Sequence, residues 1–426
     1  MKALKFLRNL FILGAVAAII YGFGYSFRLD TGNNATFKDN IKNGIERIKD
    51  IPESFSIDKI LDSIPRITIV KIREGEYLLF TGKLTPEEIK ERISDLIGSN
   101  KSGKSEPIGA IKPIERVHVN ENFSLSQIKS PNDRAVNDPG YKIQWAISYT
   151  ESNKAWRLVK QKREVRVAVL DTGVDYTHPD LKNRILKSKG YDFVNNDNDP
   201  MDDHGHGTHV AGIIAAEANN RKGISGIAGP LDVKIIPVKV LNSKGEGRSD
   251  IIAHGIRYAV DSGADIINLS LGTRGKTRDI SNAIKYARNK GVFVVAAAGN
   301  DNMDADNFSP TGDNGVYAVS AITPAYKKAP FSNYGDRIQG AAPGIKIVST
   351  VPQGGYEAWD GTSMSAPVVS GVAAIIKANS PELPPDQIEK LLNETAVDIM
   401  TKGKDPYTGY GLVDAYRAVK KLNGIN

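Results

Sequence analysis

Three histidines fall within six positions of the segment DDHGHGTHVAG, which spans residues 202–212 of a chain with only six histidines. Imidazoles placed this close together could ligate a metal ion, transfer protons, or lie in a polar loop that is rich in histidine without chemical function. A zinc-binding helix needs histidines at positions i and i+4 with a glutamate between them. His206 and His209 are instead three positions apart and enclose Gly207 and Thr208. The pattern therefore favours proton transfer over metal ligation.

Two further segments carry oxygen groups that could work with such an imidazole. Asp171 directly follows the apolar run VRVAVL, so its carboxylate is expected at the end of a strand, where it can orient a neighbouring group. Ser363 lies in GTSMSAPVVSG, residues 361–371, at the start of a stretch of small residues with helical character. Taken separately, the aspartate is equally well explained as a turn residue and the serine as a helix cap.

The composition limits which nucleophile this chain can use. It has 426 residues and no cysteine, which excludes disulfides, thiolate metal sites and a cysteine nucleophile. The formal charge of +7 comes from 56 basic and 49 acidic residues spread along the chain. No basic tract is interleaved with aromatic residues, so we expect no nucleic-acid partner. Any nucleophile must be an oxygen or a nitrogen.

The elements that must position these residues begin near residue 140, where short apolar runs alternate with helical stretches. The predicted strands, each apolar on both faces, are VRVAVL, VKIIPVKVL, ADIINLSL, VFVVAAAG and VYAVSAI. The predicted helices cover residues 206–217, 250–262, 277–290 and 364–379. Strands buried on both faces and separated by helices predict an α/β fold with a doubly wound, mostly parallel sheet and helices on both faces. Ligands of such sheets bind beyond the carboxyl ends of the strands.

The N-terminal segment has the pattern of an export signal. Three cations precede an apolar run over residues 10–27, as in a signal peptide or a single membrane anchor. No small-x-small cleavage site follows this run, and the sequence favours neither alternative. We assign residues 1–29 to a signal peptide or N-terminal membrane anchor, and we expect an exported protein that is secreted or held at the cell surface.

A small module precedes the large domain. Residues 30–65 are polar and are predicted to form a spacer. RITIVKI, EYLLF and IKPIERVHV predict strands and TPEEIKERISDLI predicts a helix, so residues 66–122 are expected to form a small α/β module. A segment rich in Ser, Asn, Asp and Pro at residues 120–139 is predicted to be a linker. The large domain is assigned to residues 123–426.

The segments VLDTGVD, GHGTHVAG and GTSMSAPVVSG, in this order, resemble the three signature blocks of the subtilisin family of serine proteases, whose triad order is Asp, His, Ser. The resemblance covers roughly residues 135–421 and is closest to the thermitase-like branch. It implies that Ser363 is the nucleophile, that His206 is the general base and acid, and that Asp171 orients the imidazole. It also implies that Asn300 and the Ser363 N–H form an oxyanion hole.

The same resemblance implies a substrate site between two strand edges. The residues it assigns to the edges are Ser270, Leu271 and Gly272 in NLSLGT, and Gly245 and Gly247 in GEGRSD. An extended peptide would pair with both edges by β-augmentation, so we expect extended or unfolded polypeptides as substrates. Phe308 aligns with the base of the pocket for the residue before the scissile bond, where many relatives have glycine. This predicts a shallow pocket.

The thermitase-like branch binds Ca²⁺ through oxygen ligands, which suit this ion. The resemblance implies a first site with side chains of Asp138, Asp180 and Asn220 and backbone carbonyls of Glu217, Lys222 and Ile224. It implies a second site with Asp192, Asp197 and a carbonyl of Asp199. At this second site Asn195 and Met201 depart from the family pattern. The alternative for both sets is that they are solvated acidic turns.

In this family an N-terminal propeptide assists folding and then occupies the active site until the enzyme removes it. The module at residues 66–122 lies where the propeptide lies and resembles its α/β fold. The resemblance therefore implies an intramolecular inhibitor, cut away between residues 119 and 133. The alternative is a permanently attached accessory domain. The expected molecule is a monomeric serine endopeptidase made as a self-processed precursor.

Two other classes of function make different predictions. A catalytically silent binding protein of the same fold would lack one of the triad or oxyanion residues, whereas all four are present. A lipase-like acyl hydrolase would need the order Ser, acid, His and a glycine two positions after the nucleophile. Here Ser363 comes last and Ser365 occupies that glycine position, so the sequence argues against the lipase-like class.

Overall fold

The computed structural model of the chain describes residues 67–73, 76–81, 110–113 and 136–425. The chain divides into two compact units, with the boundary between Ser105 and Glu106. In the first unit, β1 (Ile67–Arg73) and β2 (Glu76–Thr81) form an antiparallel hairpin. Both strands agree with those that RITIVKI and EYLLF predict.

The second unit contains the remaining described elements. Its strands are β3 (Ala110–Pro113), β4 (Val165–Asp171), β5 (Tyr191–Asp192), β6 (Val233–Lys239), β7 (Gly247–Arg248), β8 (Ile266–Leu269), β9 (Leu271–Arg274), β10 (Phe293–Ala297), β11 (Phe308–Ser309), β12 (Tyr317–Ile322), β13 (Ile338–Pro343), β14 (Ile347–Val351) and β15 (Gly355–Trp359). Its α-helices are α1 (Trp145–Tyr149), α2 (Ser152–Ala155), α3 (His206–Ala215), α4 (Ser249–Asp261), α5 (Arg278–Asn289), α6 (Thr362–Asn379), α7 (Pro385–Thr395) and α8 (Ala415–Leu422).

Seven strands form the central sheet in the order β13-β12-β10-β8-β4-β6-β5. Every neighbouring pair in this sheet is parallel. On one side of β4 lie β6 and then β5. On the other side β8, β10, β12 and β13 follow one another in chain order. This arrangement is the doubly wound, mostly parallel sheet that the sequence predicts, and the predicted fold class is confirmed.

Alternate residues of each strand face opposite layers of helices. In β4, Val167 and Val169 pack in the layer that contains α3 and α6, whereas Ala168 and Leu170 pack with α4 and α5. All four side chains are fully buried. Because both faces of the sheet are covered, the strands are continuously apolar rather than alternating.

A second sheet is antiparallel and has the order β11-β9-β3-β7. Its strand β3 pairs on one side with β7, with Ile111 opposite Gly247. On the other side it pairs with β9, with Lys112 opposite Gly272. The predicted module at residues 66–122 includes these residues within its closing strand IKPIERVHV. The structure pairs them instead with strands of the large domain.

The rest of the predicted N-terminal region lies outside the described residues. This applies to the apolar segment at residues 10–27, to the spacer and to the helix TPEEIKERISDLI. Within the part of the chain that the structure describes, no helix has the length and apolar character needed to cross a bilayer.

Candidate active site

The three residues that the sequence singles out for chemistry come from three packed elements. Asp171 is the last residue of β4, His206 is the first residue of α3, and Ser363 is the second residue of α6. The two helices pack against each other and on β4. His206 Nδ1 lies 2.7 Å from Asp171 Oδ1. Both side chains are buried, so this hydrogen bond fixes the orientation of the ring in a poorly solvated site.

The second ring nitrogen of His206 is kept available for a reacting partner. His206 Nε2 is buried and has no hydrogen-bond partner within the described residues, an arrangement that costs free energy and calls for an explanation. Ser363 Oγ donates to Ser270 O at 3.2 Å. The Ser363 hydroxyl thus bonds to a backbone oxygen, and Nε2 is the ring nitrogen of His206 that no described group occupies.

Asp202 fixes the loop that leads into α3, a role that the sequence does not indicate. Its carboxylate accepts the hydroxyl of Thr172 at 2.8 Å, and it accepts both the N–H and the hydroxyl of Thr208, at 2.9 Å and 2.6 Å. A carboxylate at a helix N-terminus stabilises the first turn. Because Thr172 follows Asp171, the same carboxylate ties the end of β4 to the helix that carries His206.

Asn300 follows β10, and Thr362 orients its side chain. Asn300 Oδ1 accepts the N–H of Thr362 at 3.0 Å and its hydroxyl at 2.9 Å. The NH₂ group of the same amide lies beside Gly361, the residue that precedes α6. Gly361 has φ of +152°, and a Cβ there would lie 3.3 Å from Asn300 Nδ2. A glycine thus leaves space beside two donors, Asn300 Nδ2 and the Ser363 N–H, for an anionic oxygen.

A chain of buried side chains is hydrogen-bonded to the backbone of Ser363. Ser270 Oγ donates to Ser363 O at 2.9 Å, and Asn268 Nδ2 donates to Ser270 Oγ at 3.0 Å. Asn268 Oδ1 accepts the hydroxyl of Ser370 at 2.8 Å. All four residues are fully buried. This satisfied network fixes α6 on β8 at two points along the helix.

The residues predicted to bind substrate lie on the two strands that flank β3. Leu271 and Gly272 belong to β9, and Gly247 belongs to β7. Gly245 lies in the preceding turn with φ of +72°. A Cβ on Gly247 would lie 2.5 Å from a backbone oxygen, that of Val240, so only glycine fits there. The strand β3 lies between β7 and β9 and pairs with both.

Phe308 lies on the strand next to the substrate edge. It belongs to β11 and stands opposite Arg274 of β9. Its ring is 7% exposed, and the guanidinium carbon of Arg274 lies 6.0 Å from the ring centroid. The phenyl group therefore fills volume beside the strand that would hold the substrate.

The residues predicted for the first calcium site lie together. Asp180 accepts the Asn220 side-chain amide at 2.7 Å and the Ile224 N–H at 2.9 Å. Burial raises the pKa of Asp138 above its usual value, and the nearby Asp180 carboxylate raises this pKa further. Hydrogen bonds from backbone N–H groups lower the pKa but do not cancel the rise. Both carboxylates are buried and accept hydrogen bonds from backbone and side-chain N–H groups, and a divalent cation bound there would offset their repulsion.

The residues predicted for the second site have other partners. The Asp192 carboxylate accepts the N–H and the side-chain amide of Asn195 at 2.9 Å each. Asp197 and Asp199 are exposed, and Asp199 pairs with Lys187 at 3.2 Å. Across residues 136–425, no group of three or more His, Cys, Asp or Glu side chains is arranged to hold a metal ion. This holds for the first set as well as the second, and Asp197 also accepts the Asp199 N–H at 2.8 Å, so the second set stays a prediction.

The Asp, His, Ser order on a parallel α/β sheet defines the class of serine hydrolase to which this site belongs, and it differs from the order in lipase-like enzymes. The sequence profile of the Subtilase family matches residues 162–411. The chain belongs to the subtilase family and is a serine peptidase.

Individual relatives agree with this assignment. The chain is 43% identical over 302 residues to a thermophilic serine proteinase from Bacillus sp. strain AK1. The aligned region covers 71% of this chain and 72% of that protein. It is also 39% identical over 285 residues to thermitase from Thermoactinomyces vulgaris, and this alignment covers 67% of this chain and 99% of thermitase. A solved protease structure from Pseudoalteromonas arctica matches with a TM-score of 0.62 and 35% identity, over 67% of this chain and 99% of that one. The predicted thermitase-like pattern is confirmed.

Proposed function

We propose that this chain is an exported serine endopeptidase that hydrolyses peptide bonds of extended polypeptides through Asp171, His206 and Ser363. The observation that carries the proposal is the buried 2.7 Å hydrogen bond between His206 Nδ1 and Asp171 Oδ1. It leaves Nε2 as the ring nitrogen that accepts a proton.

In the first half-reaction Ser363 Oγ attacks the scissile carbonyl carbon while His206 Nε2 takes the hydroxyl proton. Asp171 accepts the Nδ1–H and stabilises the imidazolium. The carbonyl oxygen becomes an anion and receives hydrogen bonds from the Ser363 N–H and from Asn300 Nδ2. The C–N bond then breaks, His206 gives its proton to the leaving amine, and an acyl ester remains on Ser363.

In the second half-reaction water attacks this ester. His206 takes a proton from the water and returns it to Ser363 Oγ as the new carboxyl group leaves. The two strand edges, with Gly247 on one and Gly272 on the other, hold the peptide in an extended conformation during both steps. The backbone pairing of β3 with both edges supports this mode of binding.

The test is labelling and cleavage by the full chain with a matched serine control. Ser363→Ala is expected to abolish reaction with a fluorophosphonate probe and hydrolysis of casein. Ser365→Ala is expected to preserve both, because that hydroxyl bonds to Ala342 O at 3.1 Å and touches no triad residue. If the wild-type chain reacts with neither reagent, the protein is a silent member of its family.

We further infer that residues 66–122 act as an intramolecular inhibitor and are removed by the enzyme itself between residues 119 and 133, leaving a monomeric catalytic domain. The support is the position of β3 between the strands that would bind substrate. Export through residues 1–29, with release or retention at the membrane, is supported by relatives named for their location. These are a cell wall-associated protease of Bacillus subtilis and a halolysin-like extracellular serine protease of Natrialba magadii.

The first calcium site also belongs to this proposal. Side chains of Asp138, Asp180 and Asn220, with carbonyls of Glu217, Lys222 and Ile224, would hold the ion. When bound, Ca²⁺ would supply positive charge between two buried carboxylates, and its role would be structural. The set at Asp192, Asp197 and Asp199 receives no comparable support.

A further inference from the structure

Lys239 is a buried cation that the proposed mechanism does not use. Its side chain is 1% exposed, and it ends β6 directly opposite Asp171 in the register with β4. Lysine is almost never fully buried unless it is paired. Its Nζ donates to Thr172 O at 2.6 Å, to Asp203 Oδ1 at 2.6 Å and to Leu241 O at 3.1 Å. These three bonds match the three N–H donors of the ammonium group.

The three acceptors belong to three different segments of the active site. Thr172 directly follows Asp171 at the end of β4. Asp203 lies in the loop that leads into α3 and His206. Leu241 precedes the turn that connects to β7, one edge of the substrate groove. A single ammonium group thus joins the segment of the carboxylate, the segment of the imidazole and one wall of the groove.

These contacts connect the segment that follows Asp171 with the segment that precedes His206. Lys239 links Thr172 O to Asp203, while the adjacent Asp202 accepts the Thr172 hydroxyl at 2.8 Å. The hydroxyl oxygen in turn accepts the N–H of Gly207 at 3.0 Å. The loop is therefore held to the strand end at more than one point, and it cannot pivot about a single contact. Reacting groups that shift by about 1 Å can lose about 10²-fold in rate.

We propose that Lys239, together with Asp203, is a positioning residue that sets the geometry between Asp171 and His206. It acts through the Thr172 backbone and the loop before α3, and it touches neither substrate nor the reacting atoms. This inference rests on the proposed function. A purely structural lysine would contribute to stability without affecting the Asp–His pair.

The test compares two lysines on the same strand. Lys239→Met keeps the length of the side chain but removes the charge and the donors. Lys234→Met is the matched control, because Lys234 lies toward the opposite end of β6 and donates to Asn183 O at 2.9 Å. The measurements are active-site titration with a fluorophosphonate, kcat and KM per titrated site on a peptide anilide, and the downfield proton resonance of the His206 Nδ1–H.

The expected result for Lys239→Met is a kcat per site about 10- to 100-fold lower, with KM within about twofold and an altered Nδ1–H resonance. Lys234→Met is expected to keep the wild-type values. A Lys239→Met protein with unchanged kcat and resonance but a lower melting temperature would show a structural lysine only and would overturn the proposal.

Two further outcomes keep the test decisive. If Lys239→Met does not fold, Asp203→Ala replaces it, since that side chain is 46% exposed and its loss is tolerable. We expect a loss of about 3- to 10-fold in kcat at constant KM; no loss would overturn the inference. If the wild-type chain is inert, the proposed function fails. The resonance, which needs no activity, then still reports whether Lys239 holds the Asp–His pair.

Discussion

Two histidines on the same helix have different chemistry because different groups face their rings. His206 Nδ1 faces the Asp171 carboxylate at 2.7 Å. His209 Nε2 faces the backbone oxygen of Glu357 at 3.1 Å, and its ring stacks on Trp359 with centroids 4.1 Å apart. A carboxylate stabilises an imidazolium ion strongly, whereas a neutral carbonyl does so much less. His206 is therefore suited to proton transfer, and His209 packs as a structural residue.

The side chain of Thr362 should control how well Asn300 stabilises an anionic oxygen. Thr362→Val removes the hydroxyl that donates to Asn300 Oδ1 at 2.9 Å but keeps the backbone N–H at 3.0 Å. We expect kcat to fall about tenfold while KM stays constant, because the amide oxygen then loses one of the two hydrogen bonds that it accepts from Thr362. Steady-state kinetics on a peptide anilide measures this.

Asn300→Ala sets the scale for that comparison. Loss of one oxyanion-hole donor costs about 10²- to 10³-fold in kcat, a range known from an enzyme of this family. If Thr362→Val raises KM and leaves kcat unchanged, Thr362 contributes to substrate binding rather than to the orientation of Asn300.

At the scale of elements, apolar runs predict the strands of the sheet but not where the chain leaves it. ADIINLSL predicts one strand, whereas the structure ends β8 at Leu269 and begins β9 at Leu271. The break falls at Ser270, whose hydroxyl bonds to Ser363 O. The apolar pattern does not reveal this break, because a leucine stands on each side of it. Leu269 and Leu271 are both fully buried. Only the pairing of β9 with β3 and β11 shows that a second, antiparallel sheet begins there.

The same limit applies to the residues that support the site. The three ordered sequence blocks identify Asp171, His206 and Ser363 through their resemblance to the subtilisin family, whereas position at a strand end or helix start alone does not. Lys239 bonds to a carbonyl 67 positions away and Asn268 to a hydroxyl 102 positions away. Local periodicity contains no information about such partners, so these residues look like ordinary members of their strands until the sheet is assembled.

The strand β11 should limit which residue is accepted before the scissile bond. Phe308 fills volume beside β9, and Phe308→Gly would open it. The measurement is kcat/KM for two substrates, one with phenylalanine and one with alanine before the scissile bond. We expect the phenylalanine-to-alanine ratio of these values to rise about tenfold. The ratio is used because it does not depend on the fraction of folded enzyme. An unchanged ratio would show that the ring does not border the pocket.

At the scale of the whole molecule, the first calcium site would join segments far apart in the chain. Asp138 precedes the first helix of the domain, and its carboxylate accepts the N–H groups of Asn219 and Asn220 at 2.8 Å and 3.1 Å. We expect EDTA to lower the melting temperature, since calcium at about 100 times its Kd stabilises by about 2.7 kcal/mol. Asp138→Ala should abolish this dependence, and Asp197→Ala should preserve it.

The calcium effect should also depend on pH in a defined direction. Burial raises the folded-state pKa of Asp138, so without calcium the folded chain binds this proton more readily than the unfolded chain. That stabilisation is present at low pH and is lost as the pH rises through the folded-state pKa. Calcium needs the ionised carboxylate. The increase in melting temperature on adding calcium should therefore be largest near neutral pH and shrink on acidification; a constant increase would exclude Asp138 as a ligand.

The strand β3 should delay the appearance of activity, because it lies where substrate would pair. Its hold on the two edges comes from backbone hydrogen bonds, so Ile111→Pro, which removes one N–H, should weaken it. Ile111→Val keeps the N–H and serves as the control. We expect the full chain carrying Ile111→Pro to show a lag at least about twofold shorter in hydrolysis of a fluorogenic peptide, with the same final rate once the segment is removed. Equal lags in both variants and the wild type would mean that the pairing of Ala110–Pro113 with β7 and β9 does not restrain the enzyme. Residues 66–122 would then be an accessory domain rather than an inhibitor.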